Sequence, residues 1–222
     1  MRITRLATGS VTAAIAFTSV GLGVPSSASE TYATTTVATA SESVIDYGDV
    51  ISVEFDVDSE SGYPPPTGTS TLLERRAGTE TWREVDTTSS MSGQFSGVKP
   101  RMSSTYKVVY SNRTATSDSD DSYGSSQSDE LTVQVARRIT YPQKVFKLSG
   151  RVTPSYARKT IVVKVSREQN AGYRSYKKIR TDARGRYRIT LPRRGGTWYW
   201  SFRVKGDARY LATGFVWKTF VG

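Results

Sequence analysis

From residue 31 onward, apolar and polar residues alternate with a period of two, and turn-forming clusters interrupt them about every 8–14 residues. Helical spacing is not sustained anywhere. In the first half the alternation predicts strands over Asp49–Asp58, Thr69–Arg76, Trp82–Thr88, Gln94–Val98, Thr105–Ser111 and Glu130–Arg137. The Thr/Ala/Val stretch Thr31–Ala40 adds a candidate edge strand. Gly62 with Pro64-Pro65-Pro66, Ala77-Gly78 and Lys99-Pro100 supply the turns.

The second half is patterned more cleanly, with strands predicted over Lys144–Val152, Lys159–Arg167, Arg174–Thr181, Arg186–Leu191, Thr197–Lys205 and Phe215–Val221. In Thr197–Lys205 one face collects Trp198, Trp200, Phe202 and Val204, which reads as sandwich core rather than a sugar-stacking platform. The halves also repeat. Trp82, Val85, Thr88 and Gly93-Gln94-Phe95 match Tyr176, Ile179, Thr181 and Gly185-Arg186-Tyr187, and Ser104–Tyr110 matches Trp198–Val204. Each half closes on a β-rich strand, Leu131–Val135 and Phe215–Val221. The expected fold class is all-β, as two tandem Ig-like antiparallel β-sandwiches, each near the size of about 100 residues and seven strands. The boundary falls at Arg137/Arg138, because Leu131–Ile139 passes between the units with no Gly, Pro or Ser and leaves little room for hinge motion.

The string Thr181-Asp182-Ala183-Arg184-Gly185-Arg186-Tyr187 resembles the T-D-x-x-G-x-Y/F signature of bacterial Ig-like domains. These are similar to carboxypeptidase-regulatory-like modules and are common in secreted actinobacterial proteins. Thr88 to Phe95 is a blurred copy, without the Asp and with one extra residue. The resemblance spans roughly residues 35–222. It implies a β-sandwich used as a spacer, adhesion or binding module, and it brings no catalytic residues.

Ahead of the repeats, Met1–Ala28 has the three parts of a secretory signal. Arg2 and Arg5 precede the acid-free, mildly apolar Leu6–Val24, and Ser26 and Ala28 offer small residues for cleavage after Ala28. The expected organisation is a signal peptide over 1–28, an acidic sandwich over 29–137 and a basic sandwich over 138–222. No second apolar segment follows, so a secreted, soluble mature chain is expected. The string Leu191-Pro192-Arg193-Arg194-Gly195 only superficially resembles a cell-wall sorting signal, since Arg194 stands where threonine is required.

The chain has neither cysteine nor histidine. That removes disulfides, thiol nucleophiles, thiolate metal sites and every histidine-based triad. Charge is segregated. Residues 29–137 hold 8 Lys and Arg against 17 Asp and Glu, a balance of −9, whereas residues 138–222 hold 21 against 3, a balance of +18. Such a domain attracts polyanions. The densest cations are Arg174, Lys177, Lys178 and Arg180 on one predicted strand, with Arg184, Arg186 and Arg188 on or before the next. If the two strands pair as a hairpin, the seven make one basic sheet face near Tyr173.

An anionic cell-wall polymer or an acidic protein surface fits that face, and the acidic half of another copy would give head-to-tail self-association. Nucleic acid ranks lower, because no recognised fold motif accompanies the charge. A carbohydrate-binding module is a further alternative. Asp118, Asp120 and Asp121 partly match a calcium loop, but Tyr123 stands where glycine is needed and Asp129 replaces the bidentate glutamate. Glu54, Asp56 and Asp58 alternate along one strand and should share its solvent face, with no cleft between carboxylates. No catalytic residue and no cofactor are expected.

Overall fold

A computed structural model describes residues 29–141, 144–154 and 156–222, so the segment read as a signal peptide lies outside the described residues. Among the described residues every regular element is a strand. The first half contributes β1 (Thr31–Tyr32), β2 (Thr34–Ala40), β3 (Val44–Asp46), β4 (Ile51–Ser59), β5 (Ser70–Arg76), β6 (Trp82–Thr88) and β7 (Ser92–Val98). It continues with β8 (Ser104–Tyr110), β9 (Ser122–Tyr123), β10 (Ser126–Gln127) and β11 (Leu131–Ala136). The second half contributes β12 (Arg138–Ile139), β13 (Lys147–Thr153), β14 (Thr160–Ser166), β15 (Arg174–Arg180), β16 (Arg186–Thr190), β17 (Gly196–Val204) and β18 (Thr213–Val221).

The two halves share one topology. In the first, β2-β4-β7 faces β3-β11-β8-β5-β6; in the second, β12-β13-β16 faces β18-β17-β14-β15. These are the A-B-E and G-F-C-C′ sheets of an Ig-like sandwich, with β3 running parallel to β11 as an added edge strand. The repeat read from the sequence thus pairs equivalent strands: β6 with β15, β7 with β16, β8 with β17 and β11 with β18. Alternation builds each core. In β4, Ile51, Val53, Phe55 and Val57 are buried while Glu54, Asp56 and Asp58 are exposed. In β16, Tyr187 and Ile189 turn inward and Arg186 and Arg188 outward. One cluster gathers Val53, Phe55, Leu72, Tyr106, Val108, Tyr110 and Val133, and a second gathers Leu148, Ile161, Val163, Tyr187, Trp200, Phe202 and Val204.

The cores meet at a polar clasp. The Arg137 guanidinium is 1% exposed and lies between the rings of Tyr210, 4.3 Å away, and Tyr156, 5.2 Å away. Its Nη2 donates to Asp207 Oδ2 at 2.5 Å and its Nε to the Pro154 carbonyl at 3.1 Å. The loop carrying Asp207 also reaches the first repeat. Tyr210 packs into the first core and donates its hydroxyl to the Arg101 carbonyl, while the Leu211 N–H donates to the Val135 carbonyl. Arg138 then pairs with Asp49 at 2.6 Å.

Candidate polyanion-binding groove

The T-D-x-x-G-x-Y string forms a turn held by Thr181, Asp182 and Gly185. The Asp182 carboxylate accepts from the N–H groups of Arg184 and Arg186 at 2.7 and 2.8 Å. The Arg186 N–H, opposed by burial and helped by Arg184, holds that carboxyl below the usual carboxylate range. Gly185 sits at φ +73°, where a Cβ would lie 2.7 Å from the Val152 carbonyl oxygen. Thr181 donates its hydroxyl to the Tyr156 carbonyl at 2.5 Å. The turn thereby carries the chain from β15 in one sheet to β16 in the other.

That crossing corrects the expected hairpin. β15 pairs with β14, and β16 pairs with β13, so the seven basic residues do not form one sheet face. The reason is local. The β14–β15 connection contains Asn170-Ala171-Gly172 and closes that hairpin, leaving β15 as the edge of its sheet. Arg174, Lys177 and Lys178 stay exposed on β15, and Arg184 is exposed at the turn.

The structure still brings three of the seven together. Arg180, Arg186 and Arg188 line an open groove of about 850 Å³, joined by Arg151 of β13, which the sequence reading did not single out. The register places Arg151 opposite Arg186 and Ser149 opposite Arg188, so these side chains share the outward face of the A-B-E sheet. Arg151 was legible two residues beyond Ser149 in an alternating strand, but Gly150 interrupts the apolar pattern. That glycine is needed, because a Cβ there would come within 1.7 Å of the Thr140 carbonyl oxygen. The Tyr187 hydroxyl donates to the same carbonyl at 3.0 Å and closes the floor.

Two of the arginines are pre-oriented by backbone. Arg151 Nε donates to the Arg184 carbonyl at 2.9 Å, and Arg180 Nε to the Arg158 carbonyl at 2.8 Å. Among the described residues none of the four forms an ion pair; the basic half's pairs are Arg138–Asp49, Arg137–Asp207 and Lys159–Asp207, the first two reaching the first half or its last residue. Asp182 is the one acid in the lining, and its Oδ1 is engaged by the turn. Guanidinium forks outside any ion pair suit phosphate or carboxylate oxygens, which they bind bidentately.

The other candidates fall elsewhere. Asp120 accepts two hydrogen bonds from Arg113 Nη2 at 2.7 and 2.6 Å, and Asp121 Oδ1 accepts from the Glu30 N–H. A guanidinium therefore occupies the side of Asp120 that a calcium ion would need, and no three acidic side chains of the described residues are grouped for a metal. Asp118, Asp120 and Asp121 are not carried forward as a calcium loop. Trp200 is fully buried with Nε1 donating to Thr219, while half-buried Trp198 is covered by Arg167 and Arg194, whose guanidinium carbons sit 4.4 and 4.8 Å from its ring. Missed entirely was Glu74, 1% exposed, which accepts from Arg83, Ser104 and Tyr106.

No protein-family model and no curated protein matches the chain. Among solved structures it is similar to a marsupial T cell receptor at 11% identity, with a TM-score of 0.33, covering 84% of this chain and 62% of that one. It is also similar to the human OSCAR ligand-binding domain at 17% identity, with a TM-score of 0.28, covering 82% and 96%. The Ig-like sandwich is given by the strand order itself. No helix among the described residues is long and apolar enough to cross a membrane.

Proposed function

We propose that this chain is a secreted, non-enzymatic binding protein whose second repeat docks an anionic cell-surface polymer in the groove of Arg151, Arg180, Arg186 and Arg188. One observation carries the reading: four arginines line one open groove and none of them forms an ion pair among the described residues, Asp182 being the single acid beside them. Met1–Ala28 supports export, and the clasp at Arg137 supports a rigid mount for the groove. Elution of the whole mature chain from phosphocellulose against salt tests it. The R186Q/R188Q variant should elute at clearly lower salt than wild type; co-elution would sink the reading.

A second reading, self-association, has its own support. Equivalent A-B-E faces carry opposite charge: β4 exposes Glu54, Asp56 and Asp58, while β13 exposes Lys147 and Arg151. An acidic face on one copy then suits a basic face on the next. Sedimentation of E54Q/D56N/D58N mixed with R186Q/R188Q separates the readings. Two variants that are each monomeric but form a one-to-one dimer together would favour head-to-tail contact.

A further inference from the structure

The outward face of β15-β14-β17-β18 is a second basic surface. Register across it aligns Lys178 with Val162 and Val162 with Arg203; the next row aligns Ser175, Lys164, Ser201 and Val216; the next aligns Ser166, Tyr199 and Lys218. Ile161 and Val163, with Trp200, Phe202 and Val204, are the inward partners, so Lys164, Lys178, Arg203 and Lys218 point outward, and all four are exposed. Arg203 Nε donates to Ser201 Oγ at 3.3 Å, which lays the guanidinium over the sheet. Among the described residues none of these four cations has an ion-pair partner.

The two basic faces are continuous at one edge. Arg180 lines the groove and is also the last residue of the edge strand β15, two residues beyond Lys178. Lys177 and Lys178 are both exposed there, where the β14–β15 register shifts. Cations thus run from Arg186 and Arg188 over Arg180 and Lys178 to Arg203, Lys164 and Lys218. Facing sheets pack about 10 Å apart, so a short anion reaches one face alone. A flexible chain with a charge on every unit reaches both.

We infer that one long, linear polymer with phosphate in its backbone binds both faces, passing over the β15 edge; this rests on the groove reading above and specifies its ligand as an extended polyphosphate or phosphodiester chain. The groove's guanidinium groups suit bidentate phosphate contacts, and the second face adds Arg203 with the point charges of Lys164, Lys178 and Lys218. The test is affinity of the full mature chain for inorganic polyphosphate, long and short, across a salt series. The K164Q/R203Q/K218Q variant should bind the long polymer about 10-fold or more weakly at low salt, with a log–log salt slope smaller by about 2, since each lost phosphate contact on a single strand is worth roughly 0.7. The same variant should bind the short oligomer as wild type does. K99Q/R101Q/K107Q, which removes equal charge from the first repeat, should leave the slope for the long polymer unchanged.

Unchanged long-polymer affinity in K164Q/R203Q/K218Q, with R186Q/R188Q still weakened, overturns the second surface and leaves the groove standing. If R186Q/R188Q binds both lengths like wild type, the groove reading itself fails. Equal weakening for both lengths in K164Q/R203Q/K218Q overturns the division of labour between faces. Thermal melting of each variant checks that its fold is retained; if K164Q/R203Q/K218Q melts early it is replaced by the single K218Q, for which a smaller slope change of about 0.7 is expected, and R186Q/R188Q is likewise replaced by the single R188Q.

Discussion

Replacing Arg137 by methionine keeps an unbranched apolar stem and removes the guanidinium, so it isolates the clasp between the repeats. Truncating one partner of a buried pair costs about 3–5 kcal/mol when the other charge is stranded. Asp207 is not stranded: it is 39% exposed and retains Lys159 at 3.4 Å. That cuts the ion-pair loss to about 1–2 kcal/mol. Two ring contacts at 4.3 and 5.2 Å add about 0.5–1 kcal/mol each. Arg137→Met should therefore destabilise by about 2–4 kcal/mol, a fall in Tm of roughly 4–16 °C for a chain of this size.

The pH dependence of that loss identifies its source. Burial raises the Asp207 carboxyl, but the Arg137 hydrogen bond, the Arg209 N–H and Lys159 outweigh it and bring it from 3.8 to about 2. A carboxyl lowered by folding contributes stability above its unfolded value and loses it as pH falls through the folded one. The difference corresponds to about 2 kcal/mol, reduced to about 1 by solvent screening at this exposed group. Urea denaturation of wild type and R137M from neutral pH to about pH 2.5 should show the gap narrowing below about pH 4. A gap under about 0.5 kcal/mol at neutral pH, or one that stays constant down to pH 2.5, would refute the clasp as described.

Three further outcomes are expected. Glu74→Gln removes a buried carboxylate held by Ser104, Tyr106 and Arg83, while Arg83 and Arg76 keep access to solvent, so it should cost about 1–3 kcal/mol in urea denaturation; burial raises this carboxyl but Ser104 and Arg83 more than offset it, so the wild-type advantage should fade as pH drops through the lowered value. Gly150→Ala puts a methyl against the Thr140 carbonyl and should cost about 2–3 kcal/mol, with weaker retention on phosphocellulose because the groove floor shifts. Calcium at about millimolar concentration should leave the Tm unchanged, since Asp120 is held by Arg113; a rise of several degrees would restore the calcium loop.

Strand alternation made most of this fold legible. Val53, Phe55 and Val57 announce β4, Trp200, Phe202 and Val204 announce β17, and the repeated Gly-x-aromatic turn aligned equivalent strands before any pairing was known. Pairing itself was not legible. Arg174–Thr181 and Arg186–Leu191 are neighbours in sequence, yet the Thr181–Gly185 turn crosses the sandwich, which hydrogen bonds to Tyr156 and Val152 decide. Glu74 could have been found, because it shares the face of Ser70 and Leu72. Arg137 could not: its burial depends on Tyr156 and Tyr210, from segments 19 and 73 residues away along the chain.

Opposite charges on two copies of one fold make the basic surface the part that calls for a function, and placement distinguishes a site from net charge. The decisive measurement is the salt dependence of polyphosphate affinity for R151Q/R180Q/R186Q/R188Q beside K99Q/R101Q/K107Q/R209Q, two variants of identical net charge. The groove variant should lose about 3 from the log–log slope while the control keeps the wild-type slope. Equal slopes for the two variants would contradict a site and leave only a charged surface.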